Sequence, residues 1–85
     1  MIIRFKPSFV REFKKLPKEL QGDALERIEL FKDPANHKKL KLHKLKGKLN
    51  DFYSFSVTYS HRIVFSYESP DIVVFTAIGD HSIYR

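Results

Sequence analysis

The hydrophobic and polar positions of the first third of the chain change their period once, from that of a strand to that of a helix. Residues 1–6 alternate between the two kinds and predict a short strand. Apolar residues then recur every three or four positions over residues 9–16, which predicts a helix with Ser8 as its N-terminal cap. Pro17 ends this helix and opens a second one, whose apolar stripe runs over residues 20–31. We therefore expect a strand followed by an αα-hairpin.

The second half of the chain shows the period of two that is typical of strands. Residues 53–60 alternate between aromatic or aliphatic side chains and small hydroxylated ones, which predicts a half-buried strand. Residues 61–67 predict another strand, a turn follows at residues 68–71, and residues 72–78 are apolar enough for a central strand. We predict an α+β fold, in which the helical pair covers one face of a small, mostly antiparallel sheet that ends in a three-stranded antiparallel meander.

The composition is typical of one small domain that spans residues 1–85. Hydrophobic residues make up 42% of the chain and include eight Phe, so a modest core is expected. We see neither a run of about 20 apolar residues nor a signal-peptide pattern, and therefore expect no membrane association and a cytoplasmic location. The chain has no Cys, which excludes disulfides, thiol nucleophiles and thiolate metal sites.

The net charge of +6 is concentrated in one part of the chain. Residues 1–48 hold 14 basic and six acidic side chains, whereas residues 49–85 hold two basic and four acidic ones. Residues 37–48 contain six Lys, two His and no acidic residue. Such a stretch suits a polyanion such as the RNA backbone. A solvated lysine-rich connector is the alternative interpretation.

The sequence offers little for a cofactor or a metal ion. No glycine-rich phosphate loop or nucleotide-binding motif is present. The histidines lack the helical i, i+4 spacing and the neighbouring carboxylates of a typical metal site. We therefore expect neither a cofactor nor a metal. The four histidines are His37, His43, His61 and His81.

The basic and histidine residues suit RNA cleavage without a metal ion, which needs a base, an acid and a cation at the phosphate. Histidine can take either proton-transfer role, and the arginine fork matches phosphate oxygens. Arg62 is isolated among apolar neighbours, so it has either this function or a structural ion pair with a nearby aspartate. His81 follows the last predicted strand, and Tyr84 can stack on a base or close the core.

Four short segments, in this order and spacing, resemble the RelE/ParE superfamily of toxins over essentially the whole chain. The resemblance is strongest to the RelE, YoeB and YafQ type, which are ribosome-associated mRNA interferases of type II toxin–antitoxin modules. The segments are His43-Lys44-Leu45-Lys46-Gly47, Tyr53-Ser54-Phe55-Ser56-Val57, His61-Arg62-Ile63-Val64-Phe65 and Gly79-Asp80-His81-Ser82-Ile83-Tyr84.

The resemblance implies a metal-independent endoribonuclease that cleaves mRNA on the ribosome and so arrests translation. The arginine that contacts the scissile phosphate in such toxins falls on Arg62, and the proton donor after the last strand falls on His81. Tyr84 matches the C-terminal aromatic residue, which would stack on a base or orient the substrate. His43 matches the histidine of a His-x-Leu-x-Gly segment and is our first choice for the general base. The expected product is a 2′,3′-cyclic phosphate.

The resemblance also implies partners: mRNA, the ribosome with its RNA, and a cognate antitoxin that covers the basic surface. His61 and Ser56 are weaker site candidates, since His61 should point away from Arg62 on a strand. The residues expected to hold the RNA backbone are Lys44, Lys46, Lys48 and Arg85.

One strand departs from the family pattern, because many relatives carry a basic residue where Ser56 stands. Ser54, Ser56 and Thr58 are expected to line the face that looks into the cleft. Fewer cations would then stabilise the transition state. Two alternatives therefore stay open: a ParE-like toxin that inhibits DNA gyrase by protein contact, or a degenerate toxin that only binds its antitoxin.

Overall fold

The computed structural model describes residues 1–84, with Tyr84 described by its backbone only. Two α-helices and four of the five strands follow the predicted order, while the short strand β2 and three 3₁₀ turns were not predicted. The helices are α1 (Pro7–Lys15) and α2 (Lys18–Phe31). The strands are β1 (Ile2–Phe5), β2 (His43–Lys44), β3 (Tyr53–Ser56), β4 (Arg62–Ser69) and β5 (Ile72–Gly79). The 3₁₀ turns are Pro34–Asn36, Gly47–Leu49 and His81–Tyr84.

The strands form one sheet in the order β1-β5-β4-β3-β2. The pairs β2–β3, β3–β4 and β4–β5 are antiparallel. Strand β1 runs parallel to β5, with Ile2 opposite Ile72. A parallel pair needs a crossover connection, and the αα-hairpin lies at the start of this one. The predicted α+β fold, with its helical pair on a mostly antiparallel sheet and a terminal meander, is confirmed.

Three local predictions were wrong. Ser8 does not cap α1, because the helix begins at Pro7 and Lys6 takes the cap position. The Ser8 hydroxyl instead donates to the carbonyl of Thr76 on β5, at 2.8 Å. Strand β3 ends at Ser56 rather than at residue 60, because the next residues turn to meet β4. Strand β4 continues to Ser69, which leaves a shorter turn than predicted.

The hydrophobic core lies between the helices and one face of the sheet, the helix-side face. Phe31 of α2 is fully buried at its centre and stacks on Phe55, with the ring centroids 4.8 Å apart. Its ring also meets Phe65 and Phe75 edge-on, at 5.0 and 5.6 Å. Such aromatic pairs add to the free energy gained from burial alone. The core further contains Phe9, Ala24, Ile28, Leu40, Val57, Ile63, Val73 and Ile78.

A β-bulge joins the central strands to the first helix. Val64 pairs with Ala77 and Phe65 with Phe75, so Thr76 is an extra residue on β5. The Thr76 hydroxyl donates to the Val64 carbonyl at 3.0 Å, while its own carbonyl accepts from α1. The bulge is therefore fixed from both sides. Within residues 1–84, neither helix is both long and apolar enough to cross a membrane.

Candidate active site

The sheet face opposite the helices, here called the open face, gathers the predicted site residues. Side chains that are directly opposite in an antiparallel pair share a face. His43 pairs with Ser54, Ser56 pairs with Arg62, and Arg62 pairs with Gly79. Because residues 54 and 56 are two apart on one strand, all five positions lie on the same face. Four strands thus contribute to one polar row.

Arg62 is held in place by hydroxyl and carbonyl oxygens. Its Nε donates to the Ser54 hydroxyl at 3.2 Å, and its Nη1 donates to the Ser56 hydroxyl at 3.0 Å. Its Nη2 lies 3.4 Å from the carbonyl of Lys41. The guanidinium is half-buried, so its plane and direction are fixed from three sides. The serines that depart from the family pattern are therefore the residues that orient the cation.

The structural ion pair considered for Arg62 is not found among the described residues. In residues 1–84 the Lys or Arg side chains within 4 Å of a carboxylate are Arg4, which contacts Glu68, and Lys32, which contacts Glu29. Each of these pairs is largely exposed. The positive charge of Arg62 is thus available to an anion from outside. This arrangement favours the functional interpretation over the structural one.

Lys41 gives the site a feature that the sequence did not predict. Its φ of 57° lies in the left-handed region, which costs a side-chain-bearing residue ~1–2 kcal/mol. The resulting carbonyl direction brings it 3.1 Å from Nδ1 of His43. The same Nδ1 lies 3.4 Å from Nη2 of Arg62, so this nitrogen meets both a carbonyl, which only accepts hydrogen bonds, and a guanidinium, which only donates them. Lys41 thus places the imidazole of His43 against the guanidinium of Arg62.

An open cavity of about 320 Å³ lies on this face, and we call it the active-site cavity. Three of the predicted catalytic residues meet there, although they are 38 positions apart at the extremes. Two leucines supply apolar wall, and one of the predicted RNA-binding lysines completes the lining. The cavity is lined by His43, Leu45, Lys46, Leu49, Arg62 and His81.

His81 is placed by a short turn at the end of β5. The backbone N–H of Ser82 donates to the Asp80 carboxylate at 2.9 Å, which holds the first residues of the His81–Tyr84 turn. Hydrogen bonds from Ser82 hold the pKa of Asp80 below its usual value, and the nearby His61 and His81 add to this effect. Asp80 therefore stays ionised beside His81 across the neutral range.

The remaining predicted site residues lie elsewhere or outside the described part of the structure. Lys44 alternates away from His43 and lines a separate cavity with Tyr53 and Tyr67. Lys48 is exposed within the Gly47–Leu49 turn. The side chain of Tyr84 and all of Arg85 lie outside the described residues, so their predicted roles stay predictions.

His61 and His37 serve the fold around the site. Nδ1 of His61 lies 2.9 Å from the Ser60 hydroxyl, in the turn before β4, and its ring does not line the active-site cavity. The His37 ring stacks on Phe31 at 4.9 Å and its Nε2 lies 2.8 Å from the Phe31 carbonyl. Among residues 1–84, no group of three His, Asp or Glu side chains is arranged to hold a metal ion.

Sequence reasoning missed Lys41, Leu45 and Leu49 as parts of the site. Leucines in the lysine-rich stretch, at positions 40, 42, 45 and 49, gave one usable signal, because apolar residues that recur among cations indicate that one side of the segment is covered. The left-handed conformation of Lys41 gave none, since Gly, Asn and Asp are the residues that mark such positions.

The comparison with protein families decides the relationship. The model for the ParE toxin of the type II toxin–antitoxin system, parDE, matches residues 3–83. The chain belongs to this toxin family. The RelE/ParE resemblance read from four short segments is thereby confirmed. The chain is a toxin of a type II toxin–antitoxin system. No curated protein sequence matches it.

Solved toxin structures share the fold of this toxin at low sequence identity. YafQ from E. coli strain BL21(DE3) superposes with a TM-score of 0.81 at 13% identity, covering 96% of this chain and 94% of that one. The YoeB–YefM complex from Staphylococcus aureus gives 0.75 at 20% identity, with 95% and 97% covered. The RelB–RelE antitoxin–toxin complex from Methanococcus jannaschii gives 0.74 at 24% identity, with 95% and 94% covered.

Proposed function

We propose that this toxin is a metal-independent endoribonuclease that cleaves mRNA on the ribosome and thereby arrests translation. One observation carries the proposal: Arg62, oriented by two serine hydroxyls, lines the same cavity as His43 and His81. A fixed cation with two proton-transfer groups is what phosphodiester cleavage by a neighbouring 2′-hydroxyl requires. The likeness to YafQ, YoeB and RelE folds supports the same class of activity.

The proposed step uses the ribose of the substrate as its own nucleophile. His43 takes the proton of the 2′-hydroxyl, and the 2′-oxygen bonds to the adjacent phosphorus. Arg62 donates hydrogen bonds to the phosphate oxygens, where negative charge increases. The bond from phosphorus to the 5′-oxygen then breaks, and His81 gives that oxygen a proton. The products are a 2′,3′-cyclic phosphate end and a 5′-hydroxyl end.

Partners follow from the same chemistry. Lys46 lines the active-site cavity and would hold the RNA backbone, with Lys48 in the following turn extending the contact, whereas Lys44 faces the other side of β2. A cognate antitoxin would cover the cations and block the cavity. The YoeB–YefM and RelB–RelE complexes support such a partner by analogy. Binding with salt-dependent affinity is expected for both, since both would neutralise lysines.

A second function has one observation in its favour. The family model that matches residues 3–83 is that of the ParE toxin, so inhibition of DNA gyrase by protein contact is the alternative. That activity would need no proton transfer. Residues of the active-site cavity would then contribute to binding at most. His43 and His81 on either side of a fixed arginine are the reason that we place nuclease activity first.

The test maps cleavage of a translated mRNA by primer extension, with and without ribosomes. We expect cuts that need ribosomes and that fall about 10²- to 10³-fold in rate with Arg62→Ala, the usual effect of losing one group that stabilises an oxyanion. Ser56→Ala should cost about fivefold, because it removes one hydrogen bond that orients the same guanidinium. Arg11→Ala on the exposed surface of α1 is the matched control.

Either result is informative about the class of toxin. Cuts that vanish with Arg62→Ala and persist with Arg11→Ala support the nuclease. Growth arrest without any cuts, undiminished by Arg62→Ala, would contradict it and favour the gyrase-directed alternative. Circular dichroism of each variant shows whether the fold is retained, because Arg62 also contacts Ser54 and Lys41.

A further inference from the structure

A second open cavity of about 360 Å³ lies on the other side of Arg62, and we call it the flanking groove. Arg62 lines both the flanking groove and the active-site cavity, so the two spaces meet at its guanidinium. Four of the nine lining residues are cations and none is acidic: Arg27, Lys39, Lys41 and Arg62. An extended anion that is bound at Arg62 can therefore continue into the groove.

Tyr59 stands at the edge of the flanking groove and is fully exposed, at 105% of its reference accessible area. Its turn is fixed by backbone hydrogen bonds, with the N–H groups of Val57 and Thr58 both donating to the His61 carbonyl. The Thr58 hydroxyl accepts from the N–H of Ser60 as well. A turn with a fixed backbone thus presents an aromatic ring to solvent.

Arg27 forms the opposite wall of the groove and is also held in place. Its Nε donates to the carbonyl of Val57 at 3.1 Å, which ties α2 to the end of β3. The side chain is half-buried, and within residues 1–84 no carboxylate lies within ion-pair distance of it. An arginine directed at a groove without a countercharge favours an anionic ligand.

We propose that the flanking groove binds the single-stranded RNA that adjoins the scissile bond. Arg27, Lys39 and Lys41 would contact phosphates, and one base would stack on Tyr59. This inference rests on the proposed nuclease function, since Arg62 is the point where the substrate passes from one cavity to the other. A basic groove beside an exposed aromatic ring is the combination that single-strand binding proteins use without base specificity.

RNA fits these observations better than an acidic polypeptide does. A polypeptide would need apolar pockets for its own side chains, whereas the two aliphatic residues of the groove, Leu40 and Val57, are buried in the core. The side chains that the groove leaves accessible are cations, hydroxyls and one aromatic ring. The ring of Tyr59 is fully exposed, which leaves its face open to a base. Contacts made beyond the scissile bond should tighten substrate binding and leave the chemical step unchanged.

The experiment measures binding of all-deoxy oligonucleotides, which lack the 2′-hydroxyl that the proposed cleavage requires. The probes are one strand of about four nucleotides and one of about ten, within the usual range of single-strand site sizes. Fluorescence anisotropy gives the Kd of each for the wild-type chain and four variants. Two pairs are matched: Tyr59→Ala with Tyr59→Phe, and Lys39→Ala with Lys38→Ala. Lys38 is the exposed neighbour that does not line the groove.

We expect the longer strand to bind the wild type more tightly than the shorter one. Tyr59→Ala should weaken binding of the longer strand by about 5- to 150-fold, the effect of losing one stacked base, with Tyr59→Phe close to wild type. Lys39→Ala should lower the slope of log Kd against log salt concentration by about 0.7, the value for one phosphate contact in a single strand. Lys38→Ala should leave that slope unchanged.

Three results would overturn the inference. The first is no gain in affinity with length, and the second is equal affinity of the Tyr59→Ala and Tyr59→Phe variants. The third is binding of poly-glutamate that Tyr59→Ala weakens as much as it weakens binding of the oligonucleotide, which would identify a polypeptide site. Because the probes are not cleaved, these results are independent of the mapping with Arg62→Ala. A toxin that does not cleave mRNA is therefore distinguished from a flanking groove that does not bind single strands.

Discussion

The two faces of the sheet are made from the same strands but from different chemistry. The helix-side face presents aromatic rings, such as Phe55 and Phe65, which pack under α2. The open face presents Ser54, Ser56 and Arg62, whose contacts are hydrogen bonds. Because alternate residues of a strand face opposite ways, a single strand contributes to both. Residues that stabilise the core and residues of the candidate site thus alternate along the same strands. A single substitution can therefore change one of the two faces and leave the other intact.

The largest effect is expected on the helix-side face. Phe31→Ala should lower the free energy of unfolding by about 3–5 kcal/mol, because it removes a fully buried ring that contacts four others. Urea denaturation followed by circular dichroism measures this loss. Ser56→Ala on the open face should cost less than about 1.5 kcal/mol in the same measurement. Similar losses for the two variants would show that the faces do not differ in this way.

The next effect concerns the place where the open face meets the turn of His81. A Cβ added at Gly79 would lie 2.6 Å from Cγ2 of Ile83, so Gly79→Ala should displace the turn and its histidine. A catalytic group that is shifted by about 1 Å can lose up to 10²-fold in rate. We therefore expect mRNA cleavage by Gly79→Ala to be about 10- to 100-fold slower, with a smaller loss of stability.

A second substitution and a control test this explanation. Adding Ile83→Ala removes the contacting methyl group and should restore most of the cleavage rate. Gly22→Ala in α2 meets nothing within 4 Å, and should stabilise the fold by about 0.5–1 kcal/mol without changing cleavage. A Gly79→Ala toxin that cleaves at the wild-type rate would show that the position of the turn does not matter.

The smallest effect is the pH dependence of the same turn. Hydrogen bonds from Ser82 lower the pKa of Asp80 below its usual 3.8, so the stabilising contact is fully present above that value. It is lost only as the pH falls through the lower pKa of the folded state. The amide shift of Ser82, followed by NMR, should titrate with a midpoint below 3.8. A midpoint at or above that value would contradict the contact, and Asp80→Asn should abolish the titration.

Much of the fold was predictable, because its pattern is local. The alternation at residues 53–56 and the apolar stripe at residues 20–31 each follow from one element that buries one side. Strand β2 was not predictable, because two residues in a lysine-rich stretch have no period of their own. His43 and Lys44 become a strand only by pairing with Ser54 and Tyr53 of β3.

The candidate site was less predictable, because it depends on contacts between distant residues. The sequence distinguishes Arg62 as an isolated cation, while the roles of His43 and His81 follow from the family resemblance. In sequence, Ser54 and Ser56 indicate only that the cleft has fewer cations than in relatives. The pairing of β3 with β4 is what places both serines beside Arg62. The contribution of Lys41 depends on a backbone angle and a carbonyl direction, and residue type determines neither.

The parallel pairing of β1 with β5 has a consequence for how the toxin is made. Ile2 pairs with Ile72, so β1 can join the sheet only after the residues up to β5 have been synthesised. Contacts between residues so distant in sequence form slowly, because a long loop must close first. The open face receives Gly79 from the same late strand, opposite Arg62. A growing chain therefore has no complete sheet and no complete cavity until β5 has been synthesised.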